Sequence, residues 1–365
     1  MGMLADAVDH VIGVDTHRDS HAAAVVAQSG AVEAERAEAA NPSGYKRLLR
    51  FARRYAAGRR VWAIESSGSY GAGLASFLLE RGEWVVEVDR PARPAQRNGA
   101  KSDGLDAVRA AREALSREHL TQPRCRGERE AVRVLLVTRR NAIRARTRAI
   151  NHLKALVVTS SEQLRHQLRG LRTDELIVRC ARLRTLPSHS IEHRATVIAL
   201  RHTAQRILAL EAEASALESE LERLLQQQVP ALLEETGVGA ISAAQLYCSW
   251  SHRGRLRNDG AFAMLAGAAP IPASSGQTIR YRLNRGGDRQ LNCALHTIAL
   301  TRLKHDPATR AYAARRQAEG KTPREIKRCL KRYLARRLFR LLEATGPQPP
   351  AAPPPPKART LGICS

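Results

Sequence analysis

Short apolar runs that end at turn residues organise the N-terminal part of the chain. Three of them follow closely on one another and predict an antiparallel meander of strands: HVIGVDTH, HAAAVVA and AVEAERAEA. The amphipathic segment that follows predicts a helix capped by Asn41. Strands and helices then alternate in RRVWAIESS, YGAGLASFLLERG, EWVVEVDR and DGLDAVRAAREAL, with Ser102 as the cap of the last helix. This element order is that of an RNase H-like α/β fold, which we predict for residues 8–120.

The middle of the chain, residues 121–228, has a helical periodicity almost throughout. Its second half has apolar positions spaced alternately three and four residues apart, which is a heptad seam. The spacing predicts an α-helical coiled coil or a long helical hairpin. The seam residues are Leu200, Thr203, Ile207, Leu210, Ala214, Leu217, Leu221 and Leu224.

The pattern changes again after the heptad seam. The pattern over residues 229–345 predicts a second compact domain that is mainly α-helical, with Trp250 in its core. Residues 346–365 are rich in proline, and we expect them to form an extended or disordered tail.

Charge narrows the range of functions. The chain of 365 residues has 60 Lys and Arg against 35 Asp and Glu, a net charge of +25. This excess implies a polyanionic partner, with nucleic acid as the first candidate and an anionic membrane surface as the second. No stretch approaches the about 20 apolar residues of a bilayer span, and the N-terminus lacks the basic residues of a signal peptide. Six scattered cysteines without a CxxC pair argue against a zinc site and fit a reducing cytoplasm.

Four carboxylates stand at the ends of these predicted elements. Asp15 and Glu65 each end an apolar strand, and Asp103 and Asp106 are three residues apart, so a helix places both on one face. Clustered carboxylates hold Mg²⁺, and Mg²⁺ stabilises the attacking and leaving oxygens of phosphoryl transfer. The alternative for each acid alone is a solvated surface charge. The joint placement of the four favours a Mg²⁺ site.

At these motifs the chain resembles a known family, the DEDD transposases of the insertion sequence 110 class, also described as bridge-RNA-guided recombinases. The resemblance rests on VIGVDTHRDSH, IESSGSYG and KSDGLDA, and near the C-terminus on GVGAISAAQL, LAGAAPIPASSG, NRGGDRQLNCAL and EGKTPREIKRCLKRYLARRL. It implies a RuvC-like N-terminal domain, a coiled-coil middle and a C-terminal transposase domain. It also implies Mg²⁺ bound by Asp15, Glu65, Asp103 and Asp106, an RNA guide, and active sites shared between the subunits of a dimer or tetramer.

The resemblance further implies a serine nucleophile that attacks DNA. APIPASSGQ offers Ser274 and Ser275, and the resemblance favours Ser275, directly before a glycine. The alternative is a plain loop serine on a rigid turn. Candidates for holding the adjacent phosphate are Arg280, Arg282, Arg285 and Arg289.

Two further groups are candidates for nucleic-acid binding. Arg139, Arg140 and Arg144 lie in a segment, Thr121 to Ser160, with ten Lys and Arg and two Glu. Such one-sided charge favours a face that binds nucleic acid over a merely solvated helix face. Gly237 and Gly239 fit either a phosphate-binding hairpin or a simple turn between helices.

The sequence therefore predicts a Mg²⁺-dependent DNA transposase or recombinase of an insertion sequence. We expect a covalent phosphoserine intermediate, DNA and a guide RNA as partners, a homo-oligomer, and no membrane partner. One alternative is an RNase H-like nuclease or junction resolvase that uses water. The other is a catalytically idle nucleic-acid-binding protein.

Overall fold

The computed structural model describes residues 3–88, 103–118, 120–273 and 281–348. It divides into two compact units. The first unit contains the described residues up to Arg126 together with Ser251–Arg257 and residues 347–348, and the second contains Gly127–Trp250 and Asn258–Gly346. The helical middle and most of the C-terminal region thus pack in one unit, and the domain boundaries predicted from the sequence stay predictions.

The first unit is built on a five-stranded sheet of order β3-β2-β1-β4-β5. Antiparallel pairing joins the first three strands, and β1 pairs in parallel with β4, as β4 does with β5. The predicted order of strands and helices is confirmed. The elements are α1 (Leu4–Ala7), β1 (His10–Thr16), β2 (Ser20–Ala27), β3 (Val32–Ala39), α2 (Pro42–Tyr55), β4 (Arg60–Glu65), α3 (Ala72–Leu79), β5 (Val85–Val88) and α4 (Asp103–Leu115).

Helices cover both faces of this sheet, which is why its central strands are apolar on both sides. Ile12 and Trp62 face α2 and α3, whereas Val11 and Ala63 face α4. The Asn41 side chain caps α2 by accepting a hydrogen bond from the Gly44 amide at 2.8 Å, as predicted. The predicted cap of α4, Ser102, lies outside the described residues.

A buried ion pair joins β4 to the segment before β5. The Glu83 carboxylate accepts hydrogen bonds from Arg60 Nη2 at 2.6 Å and from Trp62 Nε1 at 3.0 Å. Burial alone raises the pKa of Glu83, but the hydrogen bonds from Arg60 and Trp62 outweigh it, so the pKa lies below its usual value. The carboxylate is therefore charged and fully partnered in the core.

Glycine allows α4 to pack directly on β1. A methyl group on Gly13 would lie 2.0 Å from the Ala107 carbonyl oxygen and 2.7 Å from the Ala111 amide nitrogen. Both atoms belong to the α4 backbone, so no side chain can move aside to make room. The absence of a side chain at Gly13 sets the distance between strand and helix, and with it the position of the α4 N-terminus.

The second unit is helical apart from a two-stranded hairpin. Trp250 is fully buried in it, as predicted, and its Nε1 donates to Glu343 Oε1 at 2.6 Å. Its elements are α5 (Glu128–Thr159), α6 (Glu162–Leu168), α7 (Thr173–Ala181), α8 (Ile191–Gln228), α9 (Pro230–Leu233), α10 (Ala240–Trp250), α11 (Asp259–Leu265), β6 (Ile271–Pro272), β7 (Tyr281–Arg282), α12 (Arg289–His305), α13 (Pro307–Ala318) and α14 (Pro323–Thr345).

The heptad seam of α8 lies against α5. Five of its eight residues are buried, namely Leu200, Thr203, Ile207, Ala214 and Leu221, and the other three are partly exposed. The helices run antiparallel, because Arg139 pairs with Glu218 at 2.7 Å while Arg146 pairs with Glu211 at 3.0 Å. This is the long helical hairpin of the sequence analysis; a supercoiled coiled coil stays a prediction.

No helix within residues 3–88, 103–118, 120–273 and 281–348 combines the length and the apolar character needed to cross a bilayer.

Candidate active site

Two predicted carboxylates lie at neighbouring strand ends. Asp15 on β1 is buried, and the parallel register that pairs Val14 with Ile64 puts it beside Glu65, the last residue of β4. Side chains alternate between the faces of a strand, and Val11 and Ala63 pack on the α4 side. Asp15 lies four residues after Val11, and Glu65 lies two residues after Ala63. Both therefore belong to the face covered by α4.

Helix α4 brings the other two carboxylates to this face. Asp103 is its first residue and Asp106 lies in its first turn, where the helix dipole stabilises negative charge. Asp106 accepts a hydrogen bond from Arg109 Nη1 at 2.7 Å. Asp103 instead approaches the end of β1, so the two carboxylates of this helix have different partners.

His17 stands between two of the carboxylates. Its Nε2 lies 3.1 Å from Asp15 Oδ2 and 3.3 Å from Asp103 Oδ1. The three donor atoms of Asp15, His17 and Asp103 all lie within 4.8 Å of one another, which suits a divalent cation. The turn that carries His17 is closed by its amide, which donates to the Ser20 carbonyl at 3.0 Å.

A second histidine in the same motif has a different environment. His21 on β2 is fully buried, and its ring stacks on Tyr45 of α2 at a centroid distance of 5.7 Å. Burial lowers the pKa of His21. Because the residue belongs to the sheet face that α2 and α3 cover, it is part of the core and not of the carboxylate site.

The C-terminal serines fall on the connection of the hairpin formed by β6 and β7. Pro272 pairs with Tyr281, and residues 273–280 join the two strands. Ser274, Ser275 and Arg280 lie outside the described residues. The side chains of Arg282, Arg285 and Arg289 are exposed, and none of these three arginines forms an ion pair with the part of the chain that the structure describes.

The segment after this hairpin is firmly held. Asp288 caps α12 by accepting from the Gln290 and Leu291 amides at 2.8 and 3.1 Å. Its other oxygen accepts from Ser249 Oγ at 3.0 Å, and its amide donates to the Leu265 carbonyl at 2.7 Å. These bonds fix the chain between the exposed Arg285 and the start of α12.

The basic residues of α5 have different partners. Arg139 is paired with Glu218, and Arg140 Nη2 donates to Gln245 Oε1 at 2.8 Å. Arg144 is exposed and forms no ion pair with any residue that the structure describes. Of the three, Arg144 has the guanidinium that is most available to a phosphate.

The predicted glycine hairpin precedes α10. Gly237 has a positive φ of 83°, a conformation that favours glycine, and a methyl group there would lie 3.2 Å from the Ile298 carbonyl oxygen. Gly239 has open space around it, and its carbonyl accepts from the Ala243 amide at 2.9 Å. Backbone geometry alone accounts for a glycine at Gly237. At Gly239 the open space leaves room for a ligand to approach the backbone.

Two family models match the chain. The DEDD-type IS110 model, described as "Transposase", matches residues 12–161, and the model described as "Transposase IS116/IS110/IS902 family" matches residues 229–314. The chain belongs to the IS110 family of transposases. The family is one of DNA transposase enzymes, and its DEDD domain implies a divalent metal. All four predicted carboxylates lie within residues 12–161.

Two curated relatives of the chain belong to insertion elements. The 43.6 kDa protein of insertion element IS110 of Streptomyces coelicolor is 33% identical over 142 residues, which are 38% of this chain and 35% of that protein. The 42 kDa protein of insertion element IS900 of Mycobacterium paratuberculosis is 25% identical over 313 residues, which are 72% of this chain and 78% of that protein. The chain thus spans about a third of the first relative and over three quarters of the second.

Sequence reasoning missed His17 at this IS110-family site. The motif DTHRDSH contains two histidines four residues apart, and nothing in the apolar pattern separates them. The available signal was the position of His17 two residues after a strand-ending carboxylate. The turn between β1 and β2 bends this residue back towards Asp15 and α4.

Proposed function

We propose that this chain cleaves and exchanges DNA strands for an insertion sequence. The observation that carries the proposal is the convergence of the Asp15 and Asp103 carboxylates, beside Glu65, within the segment that matches the DEDD transposases. Oxygen-rich donor sets of this kind suit Mg²⁺ and serve phosphoryl transfer.

The carboxylates of Asp15, Glu65, Asp103 and Asp106 would hold Mg²⁺. When bound, the ion supplies Lewis acidity towards a phosphate and compensates negative charge on the attacking and leaving oxygens. The residues of the chain do the positioning. β1 and β4 fix two carboxylates at adjacent strand ends, and α4 delivers the other two through its contact with Gly13.

Ser275 is the proposed nucleophile. Its Oγ attacks the DNA phosphorus and loses its proton, while the bond from phosphorus to a deoxyribose oxygen breaks and that oxygen takes up a proton. The product is a phosphoserine ester that conserves the bond for rejoining, so strand exchange needs no ATP. The arginines that flank this segment, Arg282, Arg285 and Arg289, suit the neighbouring phosphates because their side chains are exposed.

Nucleic acid supplies both substrate and guide in this proposal. The net charge of +25 and the aromatic content of 4% favour phosphate contacts over base stacking. Base pairing with a guide RNA would then provide the sequence selectivity that such contacts lack. The active form is a dimer or tetramer of this chain.

The test is a cleavage assay on the element's own DNA ends, with products separated on denaturing gels. We expect Ser275→Ala to abolish both cleavage and the covalent adduct while DNA binding persists. Ser274→Ala is the matched control, and we expect it to retain more activity. Strand cleavage by Ser275→Ala at the wild-type rate would mean that water is the nucleophile, and the chain would then be a nuclease.

The metal and the RNA are tested separately. Asp15→Asn should abolish cleavage at unchanged DNA affinity, and cleavage near the wild-type rate would remove Asp15 from the site. Protein purified with its native element should carry a specific structured RNA. Full site-specific activity from protein freed of RNA would contradict the guide.

A further inference from the structure

We propose that His17 is itself a metal ligand, and that its imidazole makes this centre favour Mn²⁺ over Mg²⁺ more than a centre of carboxylates alone would. The proposal rests on the metal site of the proposed function and adds to it a nitrogen donor. Its main observation is that His17 Nε2 lies between Asp15 Oδ2 and Asp103 Oδ1, at 3.1 and 3.3 Å.

These separations suit ligands of one ion. Donors that bind a cation at about 2.1 Å, at angles between octahedral and tetrahedral, lie about 3.0 to 3.4 Å apart. Both measured distances fall in that range. The same nitrogen that contacts both carboxylates is therefore placed to share an ion with them after a small adjustment.

The backbone holds His17 in this position. Its amide closes the turn to β2 by donating to the Ser20 carbonyl at 3.0 Å. On its other side, Thr16 Oγ1 donates to the Glu65 carbonyl oxygen at 3.0 Å, which ties the end of β1 to the end of β4. A residue whose own amide and preceding neighbour are both hydrogen-bonded gives up less conformational freedom when it binds a ligand.

Of the two histidines in the DTHRDSH motif, His17 is the one placed to act as the nitrogen ligand. The other histidine of the motif, His21, is packed against Tyr45 on the opposite face of the sheet. The part of the chain that the structure describes has one group of three or more potential metal-binding side chains, and His17 supplies its nitrogen.

The chemistry of the donor predicts a change in selectivity. Mg²⁺ takes oxygen donors almost exclusively and keeps several waters, whereas later divalent ions accept imidazole more readily. A nitrogen donor from His17 Nε2 beside the carboxylates therefore raises the affinity for Mn²⁺ relative to that for Mg²⁺. The quantity to measure is the ratio of the two dissociation constants.

The experiment uses the full chain, stripped with a chelator and titrated with Mn²⁺ while free Mn²⁺ is followed by electron paramagnetic resonance, with Mg²⁺ as competitor. We expect His17→Ala to lower the Mn²⁺-over-Mg²⁺ preference by about tenfold. His10→Ala is the matched control, because His10 lies at the other end of β1 and pairs with Glu33 at 3.1 Å. That variant should keep the wild-type ratio.

A second, spectroscopic experiment tests directly whether His17 binds the metal ion. Echo modulation of bound Mn²⁺ should show coupling to an imidazole ¹⁴N in the wild type, and the coupling should vanish in His17→Ala. An unchanged selectivity ratio, or bound Mn²⁺ without ¹⁴N coupling in the wild type, overturns the role of His17. Neither result bears on the proposed function. The cleavage assay with the serine and carboxylate variants tests that function independently.

Discussion

A single methyl group at Gly13 would displace the helix that completes the proposed metal site. In Gly13→Ala the new carbon would lie 2.0 Å from the Ala107 carbonyl oxygen and 2.9 Å from the Ala111 side chain. Because real contacts of this kind stay above 3.0 Å, α4 has to withdraw from β1 by at least about 1 Å. Asp103 moves with the helix, away from Asp15.

The free-energy cost of Gly13→Ala depends on which atoms surround the added methyl group. Inserting a methylene or methyl group into a packed core costs about 1 to 3 kcal/mol. We expect a value of about 2 kcal/mol or more, because the atoms in the way belong to the helix backbone and cannot change rotamer. Such a loss raises the population of opened molecules by about 30-fold.

Hydrogen exchange followed by mass spectrometry measures this locally. Peptides from β1 and α4 of Gly13→Ala should exchange faster, while peptides from α5 should not change, and the affinity for Mn²⁺ should fall. Gly68→Ala is the control, because the nearest atom to its added carbon is Arg124 Nη1 at 3.8 Å. Wild-type exchange in β1 and α4 together with wild-type Mn²⁺ affinity would refute the packing argument.

Three more predictions follow from particular contacts. Because the pKa of Glu83 is held below its usual value, the stability it contributes is present above the usual pKa of a glutamate and is lost as pH falls through the lowered one. Glu83→Gln should cost about 2 to 3 kcal/mol at neutral pH and flatten that dependence in urea titrations at several pH values. Asp288→Ala removes the cap of α12 and should cost about 1 kcal/mol, measured in the same way; an unchanged denaturation midpoint would contradict the cap. Arg144→Gln should lower nucleic-acid affinity and reduce the salt slope of binding by about one, whereas Arg139→Gln should act mainly on stability; equal slopes for the two variants would remove the distinction.

The order of elements in the first unit was predictable because each apolar run has the length and period of its own element. The cap at Asn41 and the strand-ending positions of Asp15 and Glu65 are local signals of this kind. The burial of the heptad seam followed in the same way from the spacing of Leu200 to Leu221.

Contacts between distant positions could not be predicted from local patterns. Arg139 meets Glu218 across 79 residues, and only the register of the antiparallel helices decides that pairing. Ser251–Arg257 joins the first unit although both flanking segments belong to the second. There Ser251 Oγ accepts from the Cys125 amide at 3.0 Å, and periodicity carries no information about such a bond. His17 was missed for the same reason, since a tight turn makes it a neighbour of Asp103.

If the proposed metal site is correct, the packing of α4 on β1 and the affinity for metal are linked. Asp15, His17 and Asp103 come from a strand, a turn and a helix, so an ion that binds all three binds only while β1 and α4 are in contact. Such binding stabilises the folded unit by about 2.7 kcal/mol when the ion is at 100 times its dissociation constant. That gain is close to the cost expected for Gly13→Ala. Saturating Mn²⁺ should therefore restore much of the lost exchange protection in β1 and α4 of that variant, and it should do so less well when His17 is also replaced. If Mn²⁺ restores no protection, the helix packing and the metal site are separate, and equal restoration with and without His17 would contradict the role of His17 as a ligand.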